Sequence, residues 1–208
     1  MGPRLRRWIV PFQIGLLLSA WMLASCAGET EERPVTQMAA ERIKAPAFSG
    51  DSAYGYIQSQ VDFGPRVPNT NEHVACGDWL ANELTRHGAV VIEQPGRVRA
   101  YDGTVLEMRN IIGQFRPENQ ERIMLYAHWD TRPFADKDTI RIREPIDGAN
   151  DGGSGVGVLL EVARILGSDT TLDVGIDVIF FDAEDYGAPE WANTGNGSIT
   201  TWCLGSQF

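Results

Sequence analysis

Two apolar runs, Ile123-Met124-Leu125-Tyr126-Ala127 and Ile176-Asp177-Val178-Ile179-Phe180-Phe181, bracket the stretch that decides the fold. Each is apolar at nearly every position rather than at alternate ones, the pattern of a strand covered on both faces. Between them, residues 156–166 are apolar on most sides, with Glu161 and Arg164 as the main polar positions. That predicts a buried crossover helix, closed by Gly167. Strand, helix, strand in this order makes a βαβ unit with a right-handed crossover. The expected fold is therefore α/β: a single domain with a central mixed, mostly parallel sheet flanked by helices. In such sheets ligands bind beyond the carboxyl ends of the strands, and the polar clusters of this chain fall there.

Toward the N-terminus the pattern predicts a helix over 52–61, a Pro- and Gly-punctuated loop over 63–69, and a helix over 72–86. Val74, Trp79, Leu80 and Leu84 would form the apolar stripe of that second helix, and Gly88 would stop it. Strands follow over 90–94 and 98–101, a hairpin turn at Asp102-Gly103, and strands over 104–108 and 110–115. At the start of the chain, Arg4, Arg6 and Arg7 precede an apolar stretch over 8–23, too short to cross a bilayer and shaped like a signal peptide. It ends in Leu23-Ala24-Ser25-Cys26, which resembles the lipobox of bacterial lipoproteins, with Cys26 the residue lipidated; an ordinary secretory signal with an incidental cysteine is the other reading. The domains expected are a signal peptide over 1–25, a flexible tether over 26–46 and a folded domain over 47–208. The protein would be exported and lipid-anchored to a bacterial cell envelope, in the periplasm or outer membrane.

The composition agrees with a folded, exported domain. Of 208 residues, 43% are apolar and 22% charged, enough to build a core. A net charge of −10 and a pI near 4.7 argue against a nucleic-acid surface. Loss of residues 1–25 would remove three arginines and no acids, so attachment to an anionic membrane would come from the lipid alone. Cys76 and Cys203 are read as buried thiols.

Three clusters carry chemistry. His128-Trp129-Asp130 follows the first apolar strand, where a carboxylate two residues from an imidazole can fix its tautomer; a purely structural His–Asp hydrogen bond is the other reading. Asp147-Gly148-Ala149-Asn150-Asp151-Gly152-Gly153-Ser154-Gly155 leads into the buried helix. It matches neither phosphate-loop spacing and has no lysine, so it reads either as a carboxylate held near a cation or as a polar turn with Ser154 capping the helix. Phe181-Asp182-Ala183-Glu184-Asp185 ends the second strand. Neighbouring acids repel one another there unless a metal takes one of them while the other moves protons, or unless the loop is simply solvated.

Together these stretches resemble the successive metal-site motifs of the zinc-dependent M28 peptidase family, and in wording its glutaminyl-peptide cyclotransferase branch. Phe63-Gly64-Pro65-Arg66-Val67-Pro68 and Thr201-Trp202-Cys203-Leu204-Gly205-Ser206-Gln207 resemble that branch too. The resemblance covers roughly 50–208. It implies a zinc-exopeptidase-like fold, Asp151 and Asp185 as zinc ligands and Glu184 as general acid/base. His128 and Asp130 correspond to the pair that binds a second zinc in two-metal aminopeptidases and supports the site in single-zinc cyclases. One zinc is implied for a cyclase, two for an aminopeptidase. The substrates would be peptides or proteins with an N-terminal glutamine, cyclised to pyroglutamate with release of ammonia. Trp129 and Trp191 are the candidate pocket walls, whereas Trp202 is read as packing or surface cover. The family's third zinc ligand is a downstream histidine, and His73, His87 and His128 all lie upstream. A chain truncated before that histidine is expected, and as written it would be inactive. The alternatives are a zinc aminopeptidase and a non-catalytic lipoprotein binding module.

Overall fold

The computed structural model describes residues 45–169, 171–192 and 201–208. The signal peptide, Cys26 and all of the tether but Ala45 and Pro46 lie outside the described residues. Among the described residues three α-helices pack with a four-stranded sheet: α1 (Gly50–Asp62), α2 (Asn71–Arg86), β1 (Val90–Arg99), β2 (Val105–Phe115), β3 (Arg122–His128), α3 (Gly153–Ser168) and β4 (Gly175–Phe181), followed by a short 3-10 turn at Glu190–Ala192. The sheet order is β1-β2-β4-β3.

β4 is the pivot. It pairs in parallel with β3, with Ala127 opposite Phe180, and antiparallel with β2, with Ile111 opposite Phe180. α3 connects β3 to β4, so the βαβ unit is present. The sheet is mixed, as expected, but parallel pairing does not predominate among the described strands. β1 and β2 form an antiparallel hairpin around Asp102-Gly103, and β2 also meets β4 antiparallel. Each of these two strands was expected as two short ones. Pro95-Gly96 is carried inside β1, where an edge strand tolerates a proline that cannot donate to a ladder.

The central strand fills the core, with Val178 and Phe180 fully buried beside Leu80, Leu84, Ile111, Trp129, Val156 and Leu160. β3 differs from its expected cover on both faces. It is the edge of the described sheet, leaving Met124 57% and Tyr126 66% exposed. A smaller cluster of Ala100, Leu106, Met108, Ala183 and Leu204 lies under the loop that follows β4.

In α2 the expected stripe holds at Leu80 and Leu84, with Trp79 packed against the core, and fails at Val74. Its buried face is His73, Cys76, Gly77, Leu80, Ala81 and Leu84, while Val74 is 54% exposed. Thr70 caps this helix by accepting the His73 N–H at 3.2 Å, and Gly88 follows its end at φ +89°. α3 runs one residue past Gly167, which is not its stop signal. Gly167 lies against the His87 carbonyl, where a side-chain carbon would collide. Ser154 does not cap α3 either; its hydroxyl donates to Asn150 O at 2.6 Å, and the cap position is Gly152. Inside α3, the buried Glu161 accepts the Ser49 N–H at 2.8 Å and pairs with Arg164, joining the start of α1 to α3. Cys76 is buried as expected, but Cys203 is exposed, and both are free thiols.

Candidate metal and active site

The three sequence clusters meet at the carboxyl ends of β3 and β4. Trp129 N–H donates to Phe181 O at 3.0 Å, continuing the parallel pairing one step beyond the strands. Asp130 is thereby carried under the loop after β4. It is fully buried and accepts two backbone donors, Glu184 N–H at 3.1 Å on Oδ1 and Asp185 N–H at 3.0 Å on Oδ2. One carboxylate thus fixes the backbone of both acidic residues.

His128 stands between two acids, with Nδ1 3.4 Å from Asp130 and Nε2 2.9 Å from Asp151. Burial works against its protonation, but the hydrogen bonds and charges of Asp130 and Asp151 outweigh it and push the imidazole up to about 9.

The loop after β4 divides its acids between two sides. Asp182 turns inward. It meets His73 Nε2 at 2.8 Å and accepts the Arg109 N–H at 2.6 Å and the Ala183 N–H at 2.7 Å. Burial drives its carboxyl upward against the pull of His73. Its own N–H donates to Asn110 Oδ1 at 3.0 Å. Ala183 then takes φ +53°, a left-handed conformation that costs an alanine about 1–2 kcal/mol. This reversal presents Glu184 and Asp185 to the side opposite Asp182.

The glycine-rich loop is held from below. Arg66, fully buried, donates to the carbonyls of Asp147, Gly148 at 2.9 Å and Trp129 at 3.4 Å. Gly152 packs on the end of β3, where a side-chain carbon would stand 2.6 Å from His128 O. The glycines therefore serve close packing, which brings Asp151 to His128, rather than phosphate binding. Sequence reasoning missed the parts played by Arg66, His73 and Asn110. His73 had a legible signal, since His73, Cys76, Leu80 and Leu84 recur at helical spacing.

Asp151 and Asp185 line one cavity of about 710 Å³, together with Arg132, Phe134, Ile146 and Trp202. Arg132 grips Asp136 through two hydrogen bonds of 2.8 and 2.5 Å and donates to Asp185 O at 3.2 Å. Its guanidinium also lies 4.6 Å over the Trp202 ring. Trp202 is therefore a wall of the cavity, not surface cover. Trp191 packs edge-on against Phe134 at 5.4 Å. Trp129 is not a pocket wall: it is fully buried, stacked on His73 at 4.3 Å, with Nε1–H donating to Arg109 O at 3.3 Å.

Two carboxylates facing one cavity suit a zinc ion in the kind of donor they offer. Burial, and then the charges of Asp130 and Asp151, push Asp185 up to about 6, a penalty that a bound cation would remove. In number the set is one short of the three protein ligands usual at a catalytic zinc. Among the described residues no group of three or more His, Cys, Asp or Glu is arranged to hold a metal. His87 does not help, since its Nε2 lies 3.0 Å from the Tyr56 hydroxyl. A cation held by Asp185 would bind only its ionised form, so the affinity for added zinc is predicted to fall as pH drops through about 6. Each further unit weakens it about tenfold, which titrations between pH 4.5 and 7.5 will read.

Residues 110–208 match Peptidase family M28. Among solved structures, the chain is similar to the glutaminyl cyclase of Bacteroides thetaiotaomicron bound to N-acetylhistamine, at 55% identity and a TM-score of 0.76. That match covers 79% of this chain and 56% of that one. A Zn-dependent exopeptidase from Parabacteroides distasonis is 57% identical with a TM-score of 0.75, over 79% of this chain and 56% of its own. Aminopeptidase YwaD of Bacillus subtilis (strain 168) is 39% identical over 150 residues, which is 71% of this chain and 30% of that protein. The chain thus spans a little over half the length of the two solved chains and under a third of the aminopeptidase.

Proposed function

We propose that this chain, an M28-peptidase-like protein with the fold of bacterial glutaminyl cyclases and zinc exopeptidases, is the site-bearing part of a zinc-dependent glutaminyl-peptide cyclotransferase. The observation that carries the reading is the meeting of Asp151 and Asp185 in one cavity, with Glu184 fixed beside them by Asp130.

Asp151 and Asp185 would hold the metal, whose chemistry when bound is that of a Lewis acid toward an amide carbonyl. The reaction joins the α-amine nitrogen of an N-terminal glutamine to its own side-chain carbonyl carbon and breaks the bond to the side-chain nitrogen, which leaves as ammonia. Glu184 takes the proton released by the attacking amine and returns it to the leaving nitrogen. Both reacting groups belong to one residue, so the cavity mainly has to hold a folded conformer, and Phe134, Trp202 and Ile146 supply apolar walls for that. His128, engaged by carboxylates at both nitrogens, supports Asp151 in this reading.

The aminopeptidase reading has its own support in the exopeptidase and aminopeptidase relatives. In it Glu184 activates water and His128 with Asp130 binds a second metal. The complete open reading frame that encodes these residues, incubated with a Gln-initiated peptide, distinguishes the two. Ammonia release with the peptide backbone intact supports the cyclase; release of a free amino acid sinks it. Lipid anchoring at Cys26 is likewise proposed, and incorporation of labelled fatty acid that persists in Cys26→Ala would refute it.

A further inference from the structure

The segment Thr201-Trp202-Cys203-Leu204-Gly205-Ser206-Gln207 gives the cavity its Trp202 wall, and the rest of it is built against Glu184. Cys203 N–H donates to Glu184 O at 2.9 Å, and Leu204 N–H donates to Ala183 O at 3.1 Å. The turn needs Cys203 at φ +56°, a left-handed conformation outside glycine's usual monopoly. Gly205 follows where any side chain would collide with the Asp182 carbonyl, and its own carbonyl accepts from Asn110 Nδ2 at 2.9 Å. Leu204 is buried in the small cluster under Ala183. These restraints bring Ser206 face to face with the Glu184 carboxylate. Its backbone N–H donates to Oε1 at 2.6 Å, and its hydroxyl donates to Oε2 at 2.9 Å.

A carboxylate held at both oxygens by one residue cannot rotate freely about its last torsion. We propose that Ser206 is a positioning residue for Glu184, orienting its carboxylate for proton transfer through the paired N–H and O–H donors. This rests on the reading of Glu184 as the proton carrier, which the cyclase and aminopeptidase mechanisms share. Asp130 fixes only the backbone of Glu184, and no other described residue holds both carboxylate oxygens. Ser206→Ala keeps the N–H and removes the hydroxyl; Ser206→Thr keeps both.

Both variants, made in the complete open reading frame, are assayed on Gln-initiated and Leu-initiated peptides, with zinc affinity measured by chelator competition. A crystal structure of metal-free Ser206→Ala accompanies them. The expected result is a kcat lowered about tenfold in Ser206→Ala, with KM and zinc affinity within about twofold of the parent. Ser206→Thr recovers most of the rate, and the Glu184 carboxylate leaves its place in the Ser206→Ala crystal. Full kcat in Ser206→Ala, zinc affinity falling in step with kcat, or a threonine variant no better than alanine would each overturn the proposal. Parent turnover of only the Leu-initiated peptide would sink the cyclase reading and leave Ser206 to be judged on that reaction. If the parent turns over neither peptide, the crystal decides: Glu184 displaced supports the role, Glu184 unmoved refutes it.

Discussion

Glu184→Gln will lower turnover by about 10²- to 10⁴-fold and leave zinc affinity unchanged. The substitution is nearly isosteric, and the contact that fixes residue 184 from Asp130 is made to its backbone N–H, which glutamine keeps. On the proposed cyclase reading, what is lost is the ability to take a proton from an amine and return it to a leaving group. One donor of Ser206 also faces an amide nitrogen instead of an oxygen, a small cost at a half-exposed position. Asp185→Asn behaves in the opposite way. It removes charge from a cavity wall, so zinc affinity falls first and turnover follows it. Measuring both quantities for both variants separates the two roles. The binding-module alternative makes a third forecast, that Glu184→Gln leaves the protein's cellular role intact.

Sequence reading reached the fold around these acids further than it reached the acids themselves. The β3–α3–β4 unit was legible because uninterrupted apolar runs have few alternatives in a domain of this size, and their polar ends marked the site. The fate of each acid was not. Asp182, Glu184 and Asp185 look equivalent in a sequence, but the left-handed turn at Ala183 sends Asp182 to His73 and aims the other two elsewhere. The tryptophans failed for a related reason. Trp129 lies in a continued strand pairing that turns its ring into the core, while Trp202 depends on a cation–π contact with Arg132, a residue 70 positions away in the chain. Burial of β3 was overestimated because a continuous apolar run says that a strand lies in a sheet without saying that both of its neighbours are among the described residues.

Long-range side-chain partners are the least legible class of all, and Arg66 shows their consequence most strongly. Arg66→Met will destabilise the domain by about 3 kcal/mol, a large part of the 5–15 kcal/mol typical of a folded domain. Two effects oppose each other. Burial lowers the pKa of the Arg66 guanidinium, so removing it relieves a desolvation cost that the charges of Asp130 and Asp147 do not fully offset. Against that, methionine fills similar space but offers no donor to the carbonyls of Trp129, Asp147 and Gly148. The Gly148 carbonyl keeps the Gly153 N–H, but those of Trp129 and Asp147 lose the guanidinium, and each bond left unmade costs on the order of 1 kcal/mol or more, which together outweighs the relief. Lysine does not rescue the site, because a single ammonium on a flexible stem cannot serve carbonyls that the planar guanidinium reaches from separate nitrogens. The same bonds fix Gly148, the acceptor of the Gly153 N–H at the start of α3, so the loop carrying Asp151 loosens with them. Urea denaturation should therefore show a lowered midpoint at unchanged slope for both variants. Zinc titration of the fraction still folded should show weaker binding, although neither variant alters a residue that lines the cavity. A midpoint equal to the parent's would mean that water replaces the lost donors and that the glycine-rich loop holds its shape without Arg66.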